Sequence, residues 1–236
     1  MSVRSLAVAL LIAATLGTGA CAESSPESAG VAPAASEQEA GPALVARARA
    51  DLAVFAHPTD ANPAAVLPAT TTFGSATTLL VEVRDGEWLQ VLLPTRPNGS
   101  SGWVRAADVE LRHTDFEIDV DLAGRTLTVS DEGVTVLETP VAIGAPDAPT
   151  PAGRFFVTDV LDTPDGDAYG PFALGLSGHS DVLTEFAGGD GQIGLHGTDD
   201  PSSIGQAVSH GCVRVDNEVI TQLASMLPLG TPVTIR

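Results

Sequence analysis

The strongest constraint on this chain is an alternation with a period of two residues. Phe116-Glu-Ile-Asp-Val-Asp-Leu, Thr126-Leu-Thr-Val and Gly133-Val-Thr-Val-Leu each place apolar and polar residues in turn. Val141-Ala-Ile and Phe155-Phe-Val-Thr-Asp-Val follow, with glycines and prolines between the runs. Such a pattern fits the two faces of a pleated strand and gives no apolar stripe for a helix. Residues 115–236 therefore read as one mostly antiparallel β-domain. A single short helix fits Glu218-Val-Ile-Thr-Gln-Leu-Ala-Ser-Met-Leu, with Asp216 or Asn217 as N-cap and Pro228 beyond its end. Thr231-Pro-Val-Thr-Ile-Arg reads as the closing strand.

A smaller β-domain is expected over residues 44–112. Leu79-Leu-Val-Glu-Val-Arg and Trp88-Leu-Gln-Val-Leu-Leu flank Asp85-Gly86, a hairpin signal, and Asn98-Gly99 leads toward Trp103-Val-Arg. Several short strands with turns between them suggest a small barrel. The stretch from Gly86 to Val104 resembles the bacterial SH3-like domains attached to wall enzymes. Trp88 and Trp103 are expected to form the core of so small a domain, the other reading being an aromatic ligand groove. The fold class is thus mainly β: a small SH3-like barrel, then a larger β-sandwich with one or two short helices.

Charge narrows the partners. Thirty acids face eleven bases, all of them Arg, for a formal charge of −19. That excludes a phosphate-binding surface for nucleic acid and electrostatic docking on anionic lipid. The N-terminus adds an address. Arg4, the apolar run Leu6–Leu16 and small residues up to Ala20 read as a signal peptide over residues 1–21, too short to span a bilayer. The Gly-Ala-Cys ending resembles a lipoprotein signal, with Cys21 the lipidated residue, while Ala20-Cys21-Ala22 also suits cleavage after Ala22. Residues 22–43, rich in Ala, Ser, Pro, Glu and Gly, form a flexible linker. The expected location is the cell envelope, lipid-anchored on the outer face of the cytoplasmic membrane, with no other membrane contact.

Either processing route removes Cys21 from thiol chemistry, leaving Cys212 as the only thiol of an exported protein. Such a cysteine is either reactive or buried and inert. Its surroundings favour chemistry. A thiol nucleophile needs a base or imidazolium that raises its thiolate fraction, and backbone N–H groups aimed at a developing oxyanion. His210 stands two residues before Cys212, with Gly211 between to allow a tight turn, and His196 lies sixteen residues upstream at the end of a strand-like run.

His196-Gly197-Thr198, Pro201-Ser-Ser-Ile-Gly205 and Ser209-His-Gly-Cys212-Val-Arg214 together resemble the L,D-transpeptidase (YkuD-type) family. Thr150-Pro-Ala-Gly-Arg-Phe and Tyr169-Gly-Pro-Phe-Ala-Leu support the resemblance, which covers about half the chain. Asp199 stands where Asn is common. The resemblance implies a cofactor-free, metal-free cysteine acyltransferase of wall biogenesis and cell shape. Cys212 would be the nucleophile, His196 the general base and Gly197 the carbonyl that orients it. Gly211, with Cys212 and His210, would form the oxyanion hole, unless His210 only braces the loop. Arg214, Ser209 and Tyr169 are expected to bind substrate, with an ion pair, a turn-holding hydrogen bond and core packing as their respective alternatives. The partners implied are peptidoglycan stem peptides, and carbapenem-type β-lactams as covalent inhibitors.

The acyl acceptor stays open among a stem amine, water and a protein amine. A zinc site built from His196, Asp199, His210 and Cys212 competes, although the chain has no His-Glu-x-x-His or Cys-x-x-Cys spacing. A non-catalytic wall-binding module is the remaining alternative. His57 and His113 read as surface residues, and His179 has no assigned role.

Overall fold

The computed structural model describes residues 41–164, 166–185 and 189–236. The expected signal peptide, the lipidated Cys21 and nearly all of the linker lie outside the described residues. Among those described, no helix is long and apolar enough to cross a membrane.

The N-terminal part contains β1 (Ala43–Ala48), β2 (Leu52–Val54), β3 (Ala65–Leu67), β4 (Thr78–Asp85), β5 (Trp88–Leu92), β6 (Ser101–Arg105) and β7 (Val109–Thr114). Five of these form a sheet in the order β6-β5-β4-β1-β7, and β2 pairs with β3. The predicted hairpin at Asp85-Gly86 is present, Asp85 opposing Trp88 across β4 and β5. β6 and β7 are the outermost strands of the sheet. The region is an accessory β-domain built of a five-stranded and a two-stranded sheet.

The tryptophans depart from expectation. Leu89, Val91 and Val104 are fully buried in the core of this domain, so strand alternation sends Trp88 and Trp103 to the opposite face. There both are half-buried. The Trp88 ring meets Phe55 edge-on at 5.2 Å, and the Arg105 guanidinium carbon lies 4.4 Å from its centre.

The second part begins with β8 (Phe116–Asp121), β9 (Thr126–Asp131) and β10 (Val134–Pro140). It continues through β11 (Ile143–Gly144), β12 (Gly153–Asp162), β13 (Phe172–His179) and β14 (Gln192–His196). β15 (Ala207–Ser209), β16 (Val213–Arg214), the helix α1 (Asn217–Met226) and β17 (Pro232–Ile235) complete it. Eight strands form one sheet in the order β10-β9-β8-β17-β12-β13-β14-β16. Its core holds Ile118, Leu127, Phe155, Leu174, Leu195 and Val213, with Ile220 and Leu223 of α1 packed on them. The result is a half-barrel β-sandwich with one short helix.

Among the described residues, three pairings are parallel: β8 with β17, β14 with β16, and β11 with β15. Each joins strands distant in sequence, which a period-two pattern does not specify. The β14–β16 pairing builds the site.

β12 is a wall common to two cores. Phe155 and Phe156 are adjacent, so they point to opposite faces. Phe155 enters the core of the second domain and Phe156 that of the first, each almost wholly buried.

Candidate active site

Strand register brings the motif residues together. In the parallel pair, Leu195 opposes Val213 and His196 opposes Arg214. Ile193, Leu195, Val213 and Val215 all point into the core. Alternation therefore turns Gly194, His196, Cys212 and Arg214 toward the other face. The Gly194 N–H donates to Cys212 Sγ at 3.4 Å, which fixes the sulfur beside β14.

His196 is buried, and its Nδ1 lies 2.6 Å from the Gly197 carbonyl. A carbonyl only accepts, so Nδ1 carries the proton and Nε2 of the neutral ring has the free lone pair. The ring centre of Tyr169 stands 4.6 Å from that of His196. Asn217, the first residue of α1, accepts the Thr198 N–H at 2.8 Å through its side chain. Gly170 and Gly197 pack against the same oxygen so closely that a Cβ on either would lie 2.3 Å from it. The helix N-terminus thus clamps the segment after His196. The N-cap position belongs to Asp216, whose side chain makes no capping bond.

The turn before Cys212 is held by Ser209. Its hydroxyl donates to Cys212 O at 2.6 Å and accepts the Gly211 N–H at 3.2 Å. Gly211 has φ +118°, a conformation that side chains disfavour. Its N–H, expected as an oxyanion donor, is engaged by Ser209 in this state, so it serves an oxyanion only by sharing or exchanging that bond. His210 is exposed, and so is Asp199. Asp200 caps the 3-10 turn Pro201–Ser203, from which the chain returns to Cys212.

Electrostatics keep the pair uncharged at rest. Burial pushes His196 down to about 4; the Gly197 carbonyl opposes this, and the Arg214 charge adds to it. Burial pushes the Cys212 thiol up, against the Gly194 N–H and Arg214, which favour the thiolate. Some of the Cys212 surface still reaches solvent, so a dense surround rather than complete enclosure causes this shift. Burial and the nearby Cys212 and Asp167 raise Tyr169, keeping its hydroxyl protonated. The arrangement suits a thiol that loses its proton as it attacks, rather than a pre-formed ion pair.

Arg214 brings a positive charge to His196, Cys212 and Tyr169, while its Nε is buried with no hydrogen-bond partner among the described residues. A buried donor left unpaired costs roughly 1–3 kcal/mol. Among the described residues, no cluster of three or more His, Cys, Asp or Glu is placed to hold a metal.

Gly194, Asn217 and Asp167 are contributors that the sequence reading did not single out for the site. Gly194 and Asn217 act through pairings between distant segments, and no local pattern marks either.

A half-barrel sandwich with a His at the end of β14 and a Cys just before its parallel partner β16, both on one face, suits a cysteine acyltransferase. The L,D-transpeptidase catalytic-domain profile (YkuD) matches residues 115–235, and the chain belongs to that family. It is 34% identical over 175 residues to the L,D-transpeptidase YkuD of Bacillus licheniformis, covering 66% of this chain and 98% of that protein. With YkuD of Bacillus subtilis it shares 36% identity over 120 residues, 51% of this chain and 65% of that one. The solved catalytic domain of the E. faecium L,D-transpeptidase acylated by ertapenem is 26% identical, with TM-score 0.39 over 53% of this chain and 99% of that one.

Proposed function

We propose that the protein is a peptidoglycan L,D-transpeptidase that forms 3→3 cross-links through a thioester on Cys212. The observation that carries this is the β14–β16 register, which sets the thiol and a neutral, tautomer-fixed imidazole on one face.

Cys212 Sγ attacks the carbonyl between meso-diaminopimelate and D-Ala of a stem tetrapeptide. Its proton passes to Nε2 of His196, and a carbon–sulfur bond forms. The oxyanion is met by backbone N–H groups of the His210–Cys212 turn, each such donor worth roughly 3–4 kcal/mol. The carbon–nitrogen bond then breaks, and D-Ala leaves with the proton from His196. An amine of a second stem attacks the thioester, gives its proton to His196 and becomes the new amide. The thiol is restored by that proton. The unpaired Nε of Arg214 supports its reading as a carboxylate ligand, because a bidentate carboxylate would satisfy it. Tyr169, whose ring contacts that of His196, would line the donor side of the cleft, and Ser209 would serve substrate by holding the turn. Carbapenems would acylate the same sulfur.

The N-terminal domain, read as SH3-like, would face the wall. Export and a lipid anchor at Cys21 would place the enzyme on the outer face of the cytoplasmic membrane. Incubation with purified tetrapeptide muropeptides, followed by mass spectrometry, tests the acceptor. The expected products are D-Ala and dimers linked between two diaminopimelate residues. Tripeptide monomers alone would show that water is the acceptor instead.

A further inference from the structure

The connection from β5 to β6 reaches from the N-terminal domain to the chain leaving β13 and the chain re-entering β14. The Arg96 guanidinium donates to three carbonyls: Ser180 at 2.7 Å, Leu183 at 2.9 Å and Asp190 at 3.0 Å. Asn98 makes a reciprocal pair with the backbone of His179, its amide donating to His179 O at 2.7 Å and its oxygen accepting the His179 N–H at 2.9 Å. The two stems are also joined directly by the Ser180 N–H to Gly191 O bond at 2.8 Å.

This grip acts next to the nucleophile. Ser180 adjoins Gly211, since a Cβ on Gly211 would lie 3.9 Å from Cβ of Ser180 and 3.6 Å from Ile193. Three residues beyond Gly191, the Gly194 N–H holds Cys212 Sγ. Gly191 itself has φ +79°, and a Cβ there would lie 2.0 Å from Leu183 O and 2.9 Å from Arg96 Nη2. The guanidinium therefore ties Ser180 and Leu183 to Asp190. Ser180 lies beside Gly211, and Asp190 leads within four residues to Gly194, whose N–H holds the sulfur.

We infer that Arg96, assisted by Asn98, is a positioning residue for Cys212, so that the N-terminal domain is part of the acylation machinery and not only a wall-facing attachment. The inference rests on the reading of Cys212 as the acylated nucleophile. Carbonyl groups facing one another repel, and a planar cation with several N–H groups is suited to holding three of them in one place. Its loss would let the Ser180 side drift from Gly211, and misplacement of about 1 Å near a reacting centre can slow a reaction about a hundredfold.

The test uses the full chain as wild type, Arg96→Ala, Arg96→Lys and Asn98→Ala. Acylation of Cys212 by a carbapenem is timed by intact mass, kcat and KM are measured with a tetrapeptide donor, and melting is followed in parallel. Arg96→Ala is expected to remain folded and to acylate about tenfold or more slowly. The loss should fall on kcat, be smaller in Arg96→Lys and Asn98→Ala, and be partly reversed by millimolar guanidinium chloride. A wild-type rate in Arg96→Ala would overturn the inference. So would a loss that guanidinium leaves unchanged and that tracks unfolding, since the arm would then only support the fold. Should wild type accept no acyl donor at all, the transpeptidase reading fails by itself. Alkylation of Cys212 by iodoacetamide then reads the grip, and an unchanged rate in Arg96→Ala would sink it.

Discussion

His196 illustrates how one hydrogen bond and one burial decide a residue's chemical role. The Gly197 carbonyl fixes the tautomer, and burial keeps the ring uncharged down to about 4, so Nε2 is available as a base throughout the neutral range. The unfolded chain takes up the proton near 6.5, well before the folded protein does. Between those values the unfolded state binds more protons, so stability is complete above about 6.5 and falls as pH drops toward 4. The difference is worth roughly 3 kcal/mol. Urea unfolding at pH 7, 5.5 and 4 should show this slope, and His196→Gln, with no proton to take up there, should show less of it. The acid limb of kcat/KM should lie near the same value, since that parameter reports groups of the free enzyme. An acid limb at an ordinary imidazole value would contradict the buried, neutral base.

At the scale of elements, the site is a junction between β14, β16 and the start of α1. The His-Gly-Thr and Ser-His-Gly-Cys segments were legible in the sequence because their residue types and spacing are specific. Strand alternation also told which residues enter the core. What could not be read was the parallel partnership of β14 and β16, since period-two alternation is the same in parallel and antiparallel ladders. With it went the Gly194 N–H on the sulfur and the clamp from Asn217, which had looked only like a helix cap. The clamp is testable. Thr198 is buried, and Asn217→Ala would leave its N–H without an acceptor, a loss of about 1–3 kcal/mol. Asn217→Asp keeps an acceptor oxygen and should recover most of the melting temperature and of kcat. Equal loss in both variants would mean that the side-chain oxygen is not what holds the segment.

For the whole molecule, the composition and turn signals indicated two β-domains, but not that one strand serves both. Neighbouring phenylalanines on β12 were visible in the sequence; that each belongs to a different core follows only from the docking of the two sheets. Trp88 and Trp103 lie off the core for a related reason. Size suggests a core role, whereas the buried leucine and valines of the same strands had already taken the core face. The common wall predicts joint unfolding. Phe156→Ala, which empties a fully buried site, should cost about 3–5 kcal/mol and lower one cooperative transition for both domains. A second, unshifted transition would show that the domains unfold independently. Together with the Arg96 arm, this wall makes the accessory domain a structural neighbour of the thiol.

The most direct test of the account is the mass of the protein during turnover with a tetrapeptide donor and no acceptor amine. Wild type should gain the mass of the donor less D-Ala, the adduct should map to Cys212, and Cys212→Ala should remain folded and unmodified. An adduct that persists in Cys212→Ala, or D-Ala release by that variant, would contradict catalysis through this sulfur.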